Sequence, residues 1–305
     1  MLAMSASSVP PSLDLSSINI ERKPFDDEMR DVMEGSGRWE VKVDEHGLVA
    51  LLDVMPRFAP VGKTADFAIV QAARVSYGAG TKMVNEDRGL IRYLARHRHT
   101  TPFEMVEFKF HQCMPIFVAR QWIRHRTANV NEYSARYSVV RDRFYHPTLD
   151  NIRRQSTTNR QGGEEPIDPL TAQEFIEYLD KTETLYKDYE KLIEKGVSRE
   201  LARIGLPVSV YTEWYWKIDL HNLFHFLSLR MDSHAQQEIR DYANAMFALI
   251  QPIVPIAAEA FLDYQLEAMH LTRLEIEALK SGTPLASENK RENAEWEAKR
   301  KRLGM

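Results

Sequence analysis

Hydrophobic and polar positions change rhythm several times along the chain, and each rhythm predicts a different element. Val106, Phe108 and Phe110 alternate with Glu107, Lys109 and His111. A period of two over residues 105–112 predicts a half-buried strand. The apolar run from Leu48 to Leu52 predicts another. Between them the spacing predicts helices over 64–75 and 86–98, the second with Leu90, Ile91 and Leu94 as its apolar stripe. Thr101-Pro102 breaks this pattern, because the residue before proline is pushed out of helical geometry. Pro115 suits the first turn of a helix running to about Arg124.

Beyond residue 150 the chain is irregular through 168, with Gly162, Gly163, Pro166 and Pro169 as breakers. Thr171-Ala-Gln-Glu174 reads as a capping box opening a long helix to about Lys195. Residues 207–218, aromatic and β-branched, are expected to be extended. Leu220, Leu223, Phe224 and Leu227 recur at i, i+3, i+4 and i+7, which predicts a helix over 219–230; further helices are expected over 235–270. Residues 1–40 read as a flexible arm, 41–275 as one domain, and 276–305 as a charged tail, solvated or disordered. The order is α+β, with no internal repeat, no βαβ alternation and no Gly-rich dinucleotide fingerprint.

Composition narrows this little. A chain of 305 residues can bury a substantial core, and a net charge of -4 gives no electrostatic reason to expect a nucleic-acid partner. Cys113 is the single cysteine, which excludes an intrachain disulfide and fits a reducing compartment. No apolar run approaches the roughly 20 residues that span a bilayer. The first 24 residues lack both an apolar h-region and any basic residue before Arg22. A cytoplasmic protein without a membrane partner is therefore expected.

Candidate chemistry gathers in Arg120 to Arg136. On a helix over 116–125, Arg120, Gln121, Arg124 and His125 share the face opposite Val118, Ala119, Trp122 and Ile123. Beyond it, Glu132, Ser134 and Arg136 project together if that segment is extended. Guanidinium forks match phosphate oxygens with paired, charge-assisted hydrogen bonds; the bland alternative is a solvated basic face. A second cluster is His97 to Glu104, open to reading as helix C-terminal cations. A third holds Asp219, His221, His225 and Arg230. Arg230 falls at the border of an apolar stripe and needs an anionic partner, either Asp232 or a ligand. Histidines without an HExxH pattern make a metal site a weak alternative, and a non-redox nucleotide or RNA binder is another.

These blocks resemble the flavin-dependent thymidylate synthases. The family signature, Arg-His-Arg, seven residues, then Ser, stands here as Arg124-His125-Arg126 and Ser134. Ala73 to Ser76, His99 to Glu104, Pro115 to Trp122, Asn131-Glu132, Arg136 to Ser138, Leu229-Arg230 and Asp232 to His234 match in order across residues 47–265. The resemblance implies a mixed sheet packed with long helices, and a homotetramer with active sites at subunit interfaces. It implies reductive methylation of dUMP to dTMP, using 5,10-methylenetetrahydrofolate, FAD and NADPH and no metal. Gln121, Arg124, Glu132, Ser134, Arg136, Arg203 and Arg230 would hold dUMP, with Arg230 catalytic at the pyrimidine. His99, Thr101, Glu104, Arg124, His125, Arg126, Asn131 and Glu132 would hold FAD, with Ser76 a further candidate. At the second flavin-binding stretch this chain departs from the family, with Asp219, His221 and His225 where members often carry asparagine or arginine. These three are expected to contact FAD in their own way. The family needs no cysteine nucleophile, which agrees with a structural Cys113. Ser134, lacking a His–Asp relay, is expected to hydrogen-bond rather than attack.

Overall fold

A computed structural model describes residues 28–34, 38–76, 87–155 and 163–305. Most of the expected N-terminal arm lies outside the described residues, as does the breaker Gly162. In chain order the elements begin with β1 (Met29–Asp31), β2 (Trp39–Lys42), β3 (Leu48–Met55) and β4 (Phe58–Pro60). Helices α1 (Asp66–Val75) and α2 (Asp87–Arg96), strand β5 (Glu107–Pro115), helix α3 (Ile116–Trp122) and strand β6 (Asn129–Glu132) follow. The second half contains β7 (Arg153–Gln155), β8 (Gly163–Pro166), α4 (Pro169–Glu194), α5 (Arg199–Ala202) and β9 (Tyr211–Asp219). It closes with α6 (Leu220–Arg230), α7 (Gln237–Ile250), α8 (Pro255–Phe261), α9 (Arg273–Ser281) and α10 (Lys290–Arg302).

The central sheet runs β2-β3-β5-β9-β6. Every pairing within it is antiparallel rather than mixed, because no helical crossover joins parallel neighbours. The alternation on β5 stands as read: Val106, Phe108 and Phe110 are fully buried, while Lys109 is exposed. β9 lies beside it with Trp216 opposite Phe110. Trp122 of α3 packs against β9 and α6, its ring 5.7 Å from Trp214, 5.5 Å from Trp216 and 4.9 Å from Phe226 of α6. This aromatic centre fixes where α3 ends and α6 begins, and the candidate chemistry sits on both.

Three local expectations change. Residues 29–31 and 39–40, placed in the arm, pair as strands. α4 starts two residues before Thr171, because Pro169 suits the first turn and the Asp168 carboxylate accepts from Thr171 N–H at 3.0 Å. In the tail, α10 buries Trp296 against Ala278 and Leu285, and Lys299 meets the buried Glu275 carboxylate at 2.8 Å. Among the described residues no helix is long and apolar enough to cross a membrane.

Candidate active site

The Arg-His-Arg stretch does not continue the α3 face. The helix stops at Trp122, whose ring is locked in the core, and Arg124, His125 and Arg126 occupy the following turn. That turn brings the His125 imidazole edge-on to Phe226, at 4.9 Å, and into reach of α6. Arg230, at the end of α6, donates from Nε to His125 Nε2 at 3.0 Å and from Nη2 to the Gln121 carbonyl at 3.4 Å. Burial, helped by the Arg230 and His225 charges, pushes His125 down to about 4. The ring is therefore neutral near pH 7, and accepting at Nε2 places its proton on Nδ1. Asp232, a possible partner for Arg230, instead receives the backbone N–H and imidazole of His234 at 2.8 and 2.7 Å. The Gln121 side chain is spent on Gln236.

A cavity of about 420 Å³ opens beside β6 and gathers Asn131, Glu132, Ser134, Arg136 and Arg203. Ser134 and Arg136 enter it through a turn rather than an extended run, since the Tyr137 and Ser138 N–H groups both donate to Ser134 O at 3.1 Å. The turn still places both side chains on the cavity. Thr212, buried on β9, donates to Glu132 Oε1 at 2.7 Å and so orients that carboxylate. Arg203 reaches the rim from the single turn after α5.

A larger cavity, about 570 Å³, lies between the end of α2 and α6 and unites His99, His221 and His225. Both volumes fall in the range of roughly 300–1,000 Å³ usual for small-ligand sites. Phe103, Phe224 and Phe261 supply apolar surface here, while Arg96, Arg98 and His270 add cationic or imidazole groups. Tyr264, which contributes to the lining, accepts from Arg92 at 2.7 Å. Arg98, within the His97–Glu104 cluster, and Tyr137, within the Arg136–Ser138 block, carry no site role in the sequence reading, which does not name Tyr264, His270 or Thr212.

Several candidates stand apart from both linings. Asp219 caps α6, accepting from Asn222 N–H at 2.9 Å and Nδ2 at 2.7 Å. Thr101 and Glu104 belong to the tight turn Thr101–Met105 beside the larger cavity. Ser76 is the exposed residue capping α1. Cys113 is buried and its thiol is pushed up to about 12 by burial, so it is inert as a nucleophile. Among the described residues no group of three or more His, Cys, Asp or Glu could hold a metal.

Two kinds of arginine differ in what answers their charge. Arg88 and Arg92 pair with Glu259, and Arg92 also with Asp263 at 2.7 Å. Arg96, Arg98, Arg124, Arg126, Arg203 and Arg230 make no ion pair among the described residues. Burial lowers the Arg230 pKa, and no carboxylate counters it. A half-buried guanidinium without an acid is costly to the free protein, so the arrangement is suited to an anionic ligand.

Comparison with known proteins gives a consistent family. Residues 59–256 match the model of the family described as thymidylate synthase complementing protein. A flavin-dependent thymidylate synthase from Dictyostelium discoideum is 70% identical over 290 residues, covering 95% of this chain and 96% of its own. One from Wolbachia pipientis wMel is 53% identical, covering 79% of this chain and 82% of its own. Crystal structures of a UMP/dUMP methylase from Streptomyces cacaoi, bound with 5-Br UMP or 5-Br dUMP, are 34% identical and cover 72% of this chain. They cover 95% and 96% of their own chains, with TM-scores of 0.63 and 0.62 respectively.

Proposed function

The chain belongs to the flavin-dependent thymidylate synthase family, and we propose that it converts dUMP to dTMP with methylenetetrahydrofolate as carbon donor and NADPH as reductant. The observation behind this reading is that arginines with no ion pair among the described residues line both cavities, Arg203 the smaller and Arg96 and Arg98 the larger. Arg136 of the smaller one pairs only with the exposed Glu200, at 3.6 Å. Arg136 and Arg203, with Ser134, suit a nucleotide phosphate at the smaller cavity. The larger cavity offers aromatic surface beside cationic and imidazole groups, which fits a flavin dinucleotide with its apolar ring and diphosphate. Its fit rests on the residues of the lining: His99, His221 and His225 would hold FAD, with the His125 ring edge-on to His225 at 6.2 Å. Arg126, Thr101 and Glu104 would join them from outside the lining. Arg124, in the turn that follows α3, would serve both ligands.

FAD, when bound, supplies the hydride that NADPH delivers. The chain's own residues do the rest. Arg230 presents its guanidinium to the pyrimidine, where it stabilises negative charge after loss of the N3 proton and so activates C5. His125, neutral and accepting at Nε2, fixes the orientation of that guanidinium. Glu132, oriented by Thr212, receives a ligand hydroxyl or base edge.

We propose further that the working form is a homotetramer with sites shared between subunits. Phe175, Tyr178, Leu185 and Leu192 of α4 are exposed, as are Leu201, Ile204 and Val208 around Arg203. Apolar surface of this extent suits burial against another copy. A reducing, cytoplasmic setting accords with the single buried cysteine.

The test is the visible spectrum of the purified protein, followed by anaerobic addition of NADPH and dUMP. A flavin spectrum bleached by NADPH, faster with dUMP present, is the expected result. A protein that stays colourless with added FAD contradicts the reading.

A further inference from the structure

The end of α2 holds a residue whose backbone conformation is at odds with its type. The helix closes with a Schellman pair of bonds: His99 N–H donates to Leu94 O at 2.9 Å and Arg98 N–H to Ala95 O at 3.2 Å. The residue at the turning point of such a cap takes positive φ and is usually glycine. Here it is Arg98, at φ 56°. An L side chain is disfavoured there because its Cβ crowds the following carbonyl. The chain uses glycine at the comparable bends after α4 and α9, with Gly196 at φ 89° and Gly282 at φ 67°. Glycine is thus available to this sequence and absent from one bend.

Local contacts do not account for the exception. Arg98 makes no ion pair among the described residues. Its neighbourhood does: the left-handed turn sets Arg98 and His99 on the lining of the 570 Å³ cavity, across from His221 and His225 of α6. Strained residues persist where the side chain has a task the unstrained one cannot perform.

We propose that Arg98 is a binding residue for the diphosphate of the dinucleotide in this cavity, its guanidinium delivered to the lining by the left-handed turn. This rests on the flavin reading of the cavity and adds a residue to it. The turn exchanges local backbone stability for a fork placed against the phosphates.

The decisive variant is Arg98→Gly, which relieves the backbone and removes only the cation, so loss of folding does not confuse the outcome. FAD and riboflavin, which lacks phosphate, are titrated into both proteins by flavin fluorescence, alongside thermal melts. The expected result is a melting temperature equal to or above wild type, FAD binding weakened about tenfold, and riboflavin binding unchanged. Arg98→Lys, which keeps the charge without the fork, falls between. Unchanged FAD affinity in Arg98→Gly, or an equal loss for riboflavin, overturns the assignment while leaving the flavin site intact. A wild-type chain that binds neither flavin overturns the reading of the cavity and the assignment with it.

Discussion

Arg92 and Arg230 are both helical, both partly shielded from solvent, and differ in what answers their charge. On α2, Arg92 meets Asp263 at 2.7 Å, Glu259 at 2.5 Å and the Tyr264 hydroxyl at 2.7 Å. On α6, Arg230 meets a neutral imidazole and a backbone carbonyl. The first arrangement closes a set of interactions within the chain and ties α2 to α8 and the segment after it. The second leaves a cation whose strongest partner must come from outside. Two arginines of similar setting therefore do different work, one holding cavity walls in place and the other awaiting an anion.

The largest effect is expected at Arg230. Arg230→Lys retains charge but loses the planar fork, and kcat/KM should fall about a thousandfold with the melting temperature unchanged. Near-normal turnover would remove Arg230 from the pyrimidine. Arg203→Ala takes a cation from the smaller cavity alone. Nucleotide affinity should weaken by roughly ten- to a hundredfold, the scale of one hydrogen bond between charged groups. Flavin affinity should hold, and parallel loss of both ligands would merge the two sites. Arg92→Ala cuts the paired set instead. Its partners are partly exposed, so the loss should be small, about 1 kcal/mol or a melting shift of roughly 2–4 °C, with nucleotide affinity kept.

A pH dependence follows from His125. Its folded pKa, about 4, lies below the ordinary 6.5 because burial disfavours the charged ring. Folding therefore binds fewer protons than the unfolded chain in this window. The stabilisation is complete above pH 6.5 and is lost as pH falls toward 4. Urea midpoints measured from pH 7 to 4.5 should decline more steeply for wild type than for His125→Gln. Equal slopes would show that the ring is solvated and cannot serve as the fixed acceptor for Arg230.

How much of this could be read in advance differed by element. β5 was legible because one face is buried and the other wet, so its alternation is clean. β9 was less so: Trp214 and Trp216 face the core while Tyr215 lies exposed between them, and aromatics on both faces hide the period. Ser134 and Arg136 were found for a different geometric reason than the one that unites them, since a turn and an extended run can present the same pair. Asp168 outcompeted Thr171 as the cap because Pro169 set the first turn, a choice between two acceptable caps. Arg98 belongs to the legible His97–Glu104 cluster, but its bend is not legible, because positive φ at a non-glycine residue leaves no mark in composition or periodicity. Tyr264 and His270 come from the stretch after α8, and only the fold brings them to His99. The apolar side of Trp296 was masked by the charges around it.

Arg203 and Arg136 of the smaller cavity should answer the phosphate of a nucleotide, which calorimetric titration of dUMP beside deoxyuridine reads out. Removing the phosphate alone should weaken binding at least a hundredfold in wild type. That difference should shrink markedly in Arg203→Ala. Equal affinity for the two ligands would mean that these arginines answer no phosphate, and the account of the site would fail.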